Sequence, residues 1–316
     1  MKKLFVVLSV FTVSLLLLNS CSKSDNDETS GNRDGNVNVL TKITDPKFKE
    51  YIRNAIDNGR IITASPDFLT EKEAAAVERL DIYHWKIKSL EGIEYFTGLK
   101  ELDCSNNELQ TLDLSKNIKL EKLRCNSCSL NSLNISNSKN LQVLQCWVNK
   151  LESLDISNCP KLTTLDCYEN SLTKLDISKN KELTSLDINA CKIAGTIDVS
   201  HCNSLLTLKT SNNPITAIKL NTAIVIFTCV KNDLSELDIS RCTELKRIMC
   251  TRNPKIASLD ISNNRKLINV DCGGISSEPP IILYVWWDVP EDNMWANIPS
   301  PLLIDVGHGG KLKTKK

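Results

Sequence analysis

Between Leu80 and Cys272 the apolar positions of this chain recur at a spacing that neither a single helix nor a lone strand would produce. Leu99, Leu102, Cys104, Asn107, Leu109, Leu112 and Leu114 set a frame, LxxLxCxxNxLxxLxL. The frame returns 21 residues later as Leu120, Leu123, Cys125, Cys128, Leu130, Leu133 and Ile135. Two further copies start at Leu141 and Leu162, and looser copies at Leu183, Leu205, Leu245 and Leu267. Between the last four, a shortened coil around residues 221–225 leads into Phe227, Cys229, Asn232 and Leu234. Upstream, Leu80, Ile82, Ile87, Leu90, Ile93 and Phe96 form an atypical first coil. Self-similarity at such a period marks a stacked repeat.

Within each coil, Leu102 and Cys104 alternate with Asp103 and Ser105, so a short strand turns its apolar pair inward. Successive coils are expected to stack in parallel about 4.8 Å apart. Each buries its apolar set only against its neighbours, so the array needs caps. The expected fold is an α/β repeat solenoid over 80–272. A recurring Asn slot (Asn107, Asn149, Asn170, Asn213, Asn232, Asn253) is expected to satisfy turn backbone groups, with Cys128 and Cys191 replacing it in two coils.

The frame resembles the leucine-rich repeat. Its cysteine-bearing form, with a recurring Leu-Asp-Ile-Ser, resembles the cysteine-ladder repeats of internalin-type surface proteins and of many Bacteroidota lipoproteins. The resemblance implies short parallel strands and non-catalytic recognition or adhesion through the strand face.

Residues 41–79 read as a helical cap. Asp45-Pro46 is an N-cap followed by proline at the first helical position. Phe48, Tyr51, Ile52, Ala55 and Ile56 make one apolar face, and Gly59 ends it. Thr70 and Glu73 form a capping box for a second helix through Val77. Related proteins often carry a calcium-type loop between these helices, but Asp57-Asn58-Gly59-Arg60-Ile61 lacks the alternating carboxylates, so no calcium is expected. Residues 273–316 read as a β-rich C-terminal cap and tail. Its apolar run Ile281–Val289, with Trp286 and Trp287, is expected to cover the last coil; Trp295 follows, and an aromatic binding site there is the alternative. Lys311–Lys316 reads as a solvated tail.

Ahead of the caps, Lys2, Lys3 and the apolar run Leu4–Leu18 have the form of a secretory leader, too short for a confident membrane span. Leu18-Asn19-Ser20-Cys21 resembles the lipobox of bacterial lipoproteins. That resemblance implies cleavage after residue 20, lipidation of Cys21, and an outer-membrane location with the anchor as the sole membrane contact. Residues 21–40 read as a flexible tether. Its Asp25-Asn26-Asp27-Glu28 resembles the surface-export signal of Bacteroidota lipoproteins. Charge adds little: 39 Lys plus Arg against 38 Asp plus Glu gives no electrostatic case for nucleic acid. A monomer is expected.

Thirteen cysteines in an exported chain suggest disulfides, but their spacing opposes pairing. Cys104, Cys125, Cys146 and Cys167 fill one inward slot, to which Cys229, Cys250 and Cys272 return. Stacked side chains point the same way, keeping Cβ atoms beyond the usual disulfide separation of about 3.8 Å. Cys159, Cys202 and Cys242 stand isolated. His84, His201 and His308 are scattered, and Cys125 and Cys128 fall in different slots, so no metal or cofactor is expected. With no nucleophile paired to a histidine in register, and no phosphate loop, the chain does not read as an enzyme.

Outward strand positions build the face on which solenoids usually bind. Trp147 and Tyr168 share a column in adjacent coils, beside Arg124, Gln145, Asp166, Asp187 and Lys209. These seven are the candidate ligand-binding residues, for an unknown protein or glycan. Stacked aromatics on a flat sheet would suit a sugar ring. The alternative is an incidental cross-strand pair adding up to about 1 kcal/mol, in a structural envelope component without a specific ligand. Opposite this face, Asp113, Asp155, Asp176, Asp198, Asp238 and Asp260 recur; they can recruit a cation or, as the periodicity favours, accept backbone N–H bonds.

Overall fold

A computed structural model describes residues 37–274, 281–290, 293–294, 298–307 and 309–315. The leader, Cys21, the tether through residue 36, Trp295, His308 and Lys316 lie outside the described residues.

The inward Leu of each frame seats the strand that carries it. Eleven short strands, one per coil, form a single front sheet from Arg79–Asp81 to Leu303–Gly307, and every pair in it is parallel. The register is the frame itself: Leu102 lies opposite Leu123, Leu123 opposite Leu144, Leu144 opposite Leu165, and Leu165 opposite Leu186. All five are buried, as are the residues two positions on, Cys104, Cys125, Cys146, Cys167 and Ile188. The expected α/β repeat solenoid with short parallel strands is the fold observed.

Most strands are three residues long because the chain then turns through a left-handed residue. His84, Asn106, Ser127, Val148, Glu169, Ala190, Asn212, Lys231 and Arg252 take φ between +50° and +61°. Asparagine tolerates that conformation; a β-branched side chain does not. Val148, at φ +53°, is therefore the strained member of the series. Val148→Asn, which copies Asn106 and Asn212, is expected to raise stability by about 1 kcal/mol, read as a higher denaturant midpoint at unchanged slope.

Across the coil, rear strands form wherever the Leu-Asp-Ile-Ser segment straightens. Thr111–Asp113 pairs with Ser132–Asn134, and Gly195–Asp198 with Ile215–Lys219. A third set runs Ser258–Asp260, Ile282–Val285, Lys311–Thr314.

Among the described residues the α-helices are confined to the N-terminal cap, at Pro46–Asp57 and Glu71–Ala75. The Asp45 carboxylate caps the first: one oxygen accepts from the Lys47 and Phe48 amides at 2.8 and 2.9 Å. Its other oxygen accepts from Lys88 and Ser89 amides at 2.8 and 3.2 Å, so one side chain also ties the helix to the first coil. Phe48 packs on Phe96, and Tyr51 meets Trp85 edge-on at 5.2 Å. The Thr70–Glu73 capping box is present, but the second helix stops at Ala75, short of Val77. Sheet pairing takes over there, since the Glu78 carbonyl accepts from Lys100 and Glu101 amides.

The solenoid does not end with Cys272. Leu303–Gly307 extends the front sheet beyond Asn269–Gly274. Lys311–Thr314, expected as a solvated tail, is instead the last rear strand: Leu312 is buried and Lys315 pairs with Asp260. Alternating lysines on that outer strand blunt an edge that would otherwise template aggregation.

Candidate functional site

Two buried polar columns hold the coils in register beneath the front face. In the first, Asn170 donates through Nδ2 to the Cys146 and Cys167 carbonyls at 3.0 and 2.9 Å, and accepts from the Leu151 amide at 3.0 Å. Asn149 repeats this on Cys125, Cys146, Cys128 and Leu130. Each asparagine thus stitches its own turn to the preceding coil. Where cysteine replaces it, the thiol donates instead: Cys128 Sγ lies 3.0 Å from the Cys104 carbonyl.

The second column escaped sequence reading. It runs Asn117, Ser138, Cys159, Asn180, Cys202, Asn221, Cys242, Asn264, all buried. Its asparagines donate to carbonyls of the preceding coil, as Asn180 does to Ile156 and Cys159 at 3.1 and 2.8 Å. Their Oδ1 atoms have no partner. The signal was available: most of these residues stand three positions before a coil-opening Leu, but Asn, Ser and Cys share no hydropathy that would flag them.

The rear Asp column is structural. Asp113, Asp155, Asp176, Asp198, Asp238 and Asp260 each accept the amide of the serine two residues on, at 2.8–3.0 Å. Bonding to those serines holds the Asp155, Asp176 and Asp238 carboxyls below the usual range.

The twelve described cysteines are buried and free. One contact bears on chemistry. Cys202 Sγ lies 3.4 Å from His201 Nε2, a pairing the sequence reading did not foresee. Nε2 also lies 3.1 Å from the Ile177 carbonyl, which can only accept, so that nitrogen carries the proton and cannot act as base. Burial pushes the Cys202 thiol up to about 11, with Cys159 and Cys242. The twelve thiols are expected to be silent to Ellman's reagent at pH 8 in the native chain and reactive in denaturant; a native titration reaching several of them would contradict the buried column.

On the front face, five successive strands from Lys122–Arg124 through Thr207–Lys209, with the residues that directly follow them, bring all seven candidate residues together. Arg124 Nε donates to Gln145 Oε1 and Gln145 Nε2 to Asp166 Oδ2, both at 2.9 Å. Lys209 pairs with the buried Asp187 at 3.0 Å. Beside this relay, Trp147 and Tyr168 stack with centroids 5.3 Å apart and planes 5° from parallel. That spacing is close to the coil separation, so the rings stand upright on the sheet, each covering one face of the other. They are half-buried rather than fully exposed. A sugar ring cannot lie flat across both, as a flat aromatic platform would allow; a ligand reaches their edges and two outer faces. Burial and the charges of Asp187, Glu169 and Asp166 raise the Tyr168 hydroxyl above its ordinary range, so the ring is neutral.

The family model described as the LRR domain of endo-β-N-acetylglucosaminidase EndoS matches residues 75–191. The functional domain of internalin J from Listeria monocytogenes, whose description includes a cysteine ladder, superposes with a TM-score of 0.51 at 27% identity, covering 79% of this chain and 71% of that one. The chain has the leucine-rich-repeat fold. In sequence, internalin J of Listeria monocytogenes serotype 4b (strain F2365) is 41% identical over 51 residues, which are 16% of this chain and only 6% of that protein's length. A leucine-rich-repeat protein of Leptospira interrogans aligns with a TM-score of 0.46 at 18% identity, over 68% of this chain and 75% of its own. The repeat thus joins a regular buried scaffold to a front face of individual, non-repeating side chains.

Proposed function

We propose that this leucine-rich-repeat protein is a non-catalytic recognition module that holds a protein partner on its front sheet, while a lipid on Cys21 tethers it to the outer membrane, facing the cell surface. The observation that carries the reading is the Trp147–Tyr168 stack beside the Arg124–Gln145–Asp166 relay. Aromatic and arginine side chains are enriched among residues that dominate binding energy, and side chains already held by neighbours lose little entropy on association. The similarity to the functional domain of internalin J agrees with adhesion or recognition by such a face. A glycan ligand is the second reading. It is favoured by the part-exposed aromatic pair beside two carboxylates, and by the glycosidase named for the matching repeat domain.

Partner capture by the full chain on membranes tests the proposal. Removing both rings, Trp147→Ala with Tyr168→Ala, is expected to weaken capture at least tenfold, as loss of a hot spot of about 2 kcal/mol would, with the denaturation midpoint little changed. Unchanged capture would assign the binding elsewhere, and no capture by the parent chain would leave the array a purely structural component of the envelope.

A further inference from the structure

The C-terminal third of the front sheet differs in chemistry from the relay. There a groove of about 390 Å³ is lined by Ile226, Met249, Ile268, Pro301 and Leu303, with Arg247 and Asn269 among them. Met249 is 40% exposed and Leu303 67%, whereas most large apolar side chains of the array are buried.

Arg247 sets the groove apart. The other outward cations of the front strands are engaged by neighbouring coils: Arg79 and Lys122 with Glu101, Arg124 with Gln145, Lys209 with Asp187. Among the described residues Arg247 alone of these has no side-chain hydrogen bond or ion pair. An unpaired guanidinium among apolar walls is complementary to a carboxylate carried on an apolar group.

The next outward column supplies the opposite sign. Asp271 and Asp305 face each other across adjacent strands, two positions further along the chain than Arg247's column, roughly 6.6 Å by the rise of a strand. Burial, and then the charge of Asp305, raise the Asp271 carboxyl above its usual range, and a cation seated there would relieve that repulsion.

We propose that this groove docks an extended segment of a protein partner that carries an apolar side chain between an acidic and a basic one. The carboxylate meets Arg247, the apolar side chain fills the space over Met249, and the base meets Asp271 and Asp305. The inference rests on front-face recognition of a protein and adds a second, chemically distinct subsite to it.

Selection from a random heptapeptide phage library on the full chain tests it, followed by anisotropy titration of an enriched peptide. The expected result is enrichment of the acidic–apolar–basic order. Arg247→Glu should weaken the enriched peptide at least about tenfold and shift selection toward peptides without the acid. Met249→Asp should weaken it likewise, and Trp147→Ala should leave it unchanged. Enrichment of nothing, or of peptides indifferent to Arg247, overturns the proposal. Peptides that need Trp147 and ignore Arg247 would overturn it too, while leaving recognition at the aromatic stack intact.

Discussion

Asn170→Ala is expected to lower the unfolding free energy by about 3–5 kcal/mol, more than most single substitutions in any protein. The substitution strips a donor from the Cys146 and Cys167 carbonyls and an acceptor from the Leu151 amide, in a site that is buried. Each orphaned buried group costs roughly 1–3 kcal/mol, and water entering the gap returns part of it. Asn170→Cys should cost distinctly less, because Cys128 already donates to a carbonyl from the same slot two coils earlier. Urea midpoints for the two variants check the order, and hydrogen exchange at the Leu151 amide locates the damage. An alanine variant as stable as the parent would mean that the Asn column is ornament and that stacking Leu and Cys suffices.

The second large effect is expected at Phe227. The step from Leu208 to its partner Phe227 is 227 − 208 = 19 residues, against 186 − 165 = 21 from Leu165 to Leu186. The shorter coil brings less side-chain volume to the interior, and the fully buried Phe227 ring supplies it. Phe227→Ala should therefore cost about 3–5 kcal/mol. Phe227→Leu restores the residue that most other coils carry, yet it should still destabilise, by roughly 1 kcal/mol, through the void it leaves. Thermal denaturation of both variants decides this; a leucine variant more stable than the parent would show that the ring is accommodated rather than needed. Because each coil contacts only its neighbours, loss here is expected to uncouple the two halves of the array and broaden the transition.

Comparison of particular residues shows where sequence reading succeeds. Leu102, Leu123, Leu144 and Leu165 could be placed opposite one another because a residue and its equivalent in the next coil must meet once the coils stack. The Asp45 cap and the Thr70–Glu73 box were legible because capping is local in the chain. The same locality limited the reading of the second helix, whose end at Ala75 is set by pairing with a distant segment. The repeat places the seven candidate face residues on adjacent coils, but the upright stance of Trp147 and Tyr168 was not legible in it, nor the Cys202–His201 contact.

The amino-acid sequence alone determined the period, the inward face, the strand register and the columns on which each outward side chain stands, since all of these follow from one repeated spacing of buried Leu and Cys. Tertiary structure alone decided that Lys311–Thr314 closes the rear sheet, that a second column of Asn, Ser and Cys lies buried, and that Arg247 is left unpaired beside a groove. The physical reason is that the period breaks near Cys272, so later strands find partners by packing rather than by pattern. Likewise, which outward charges meet depends on side-chain reach between coils, and that is settled only after the coils have stacked.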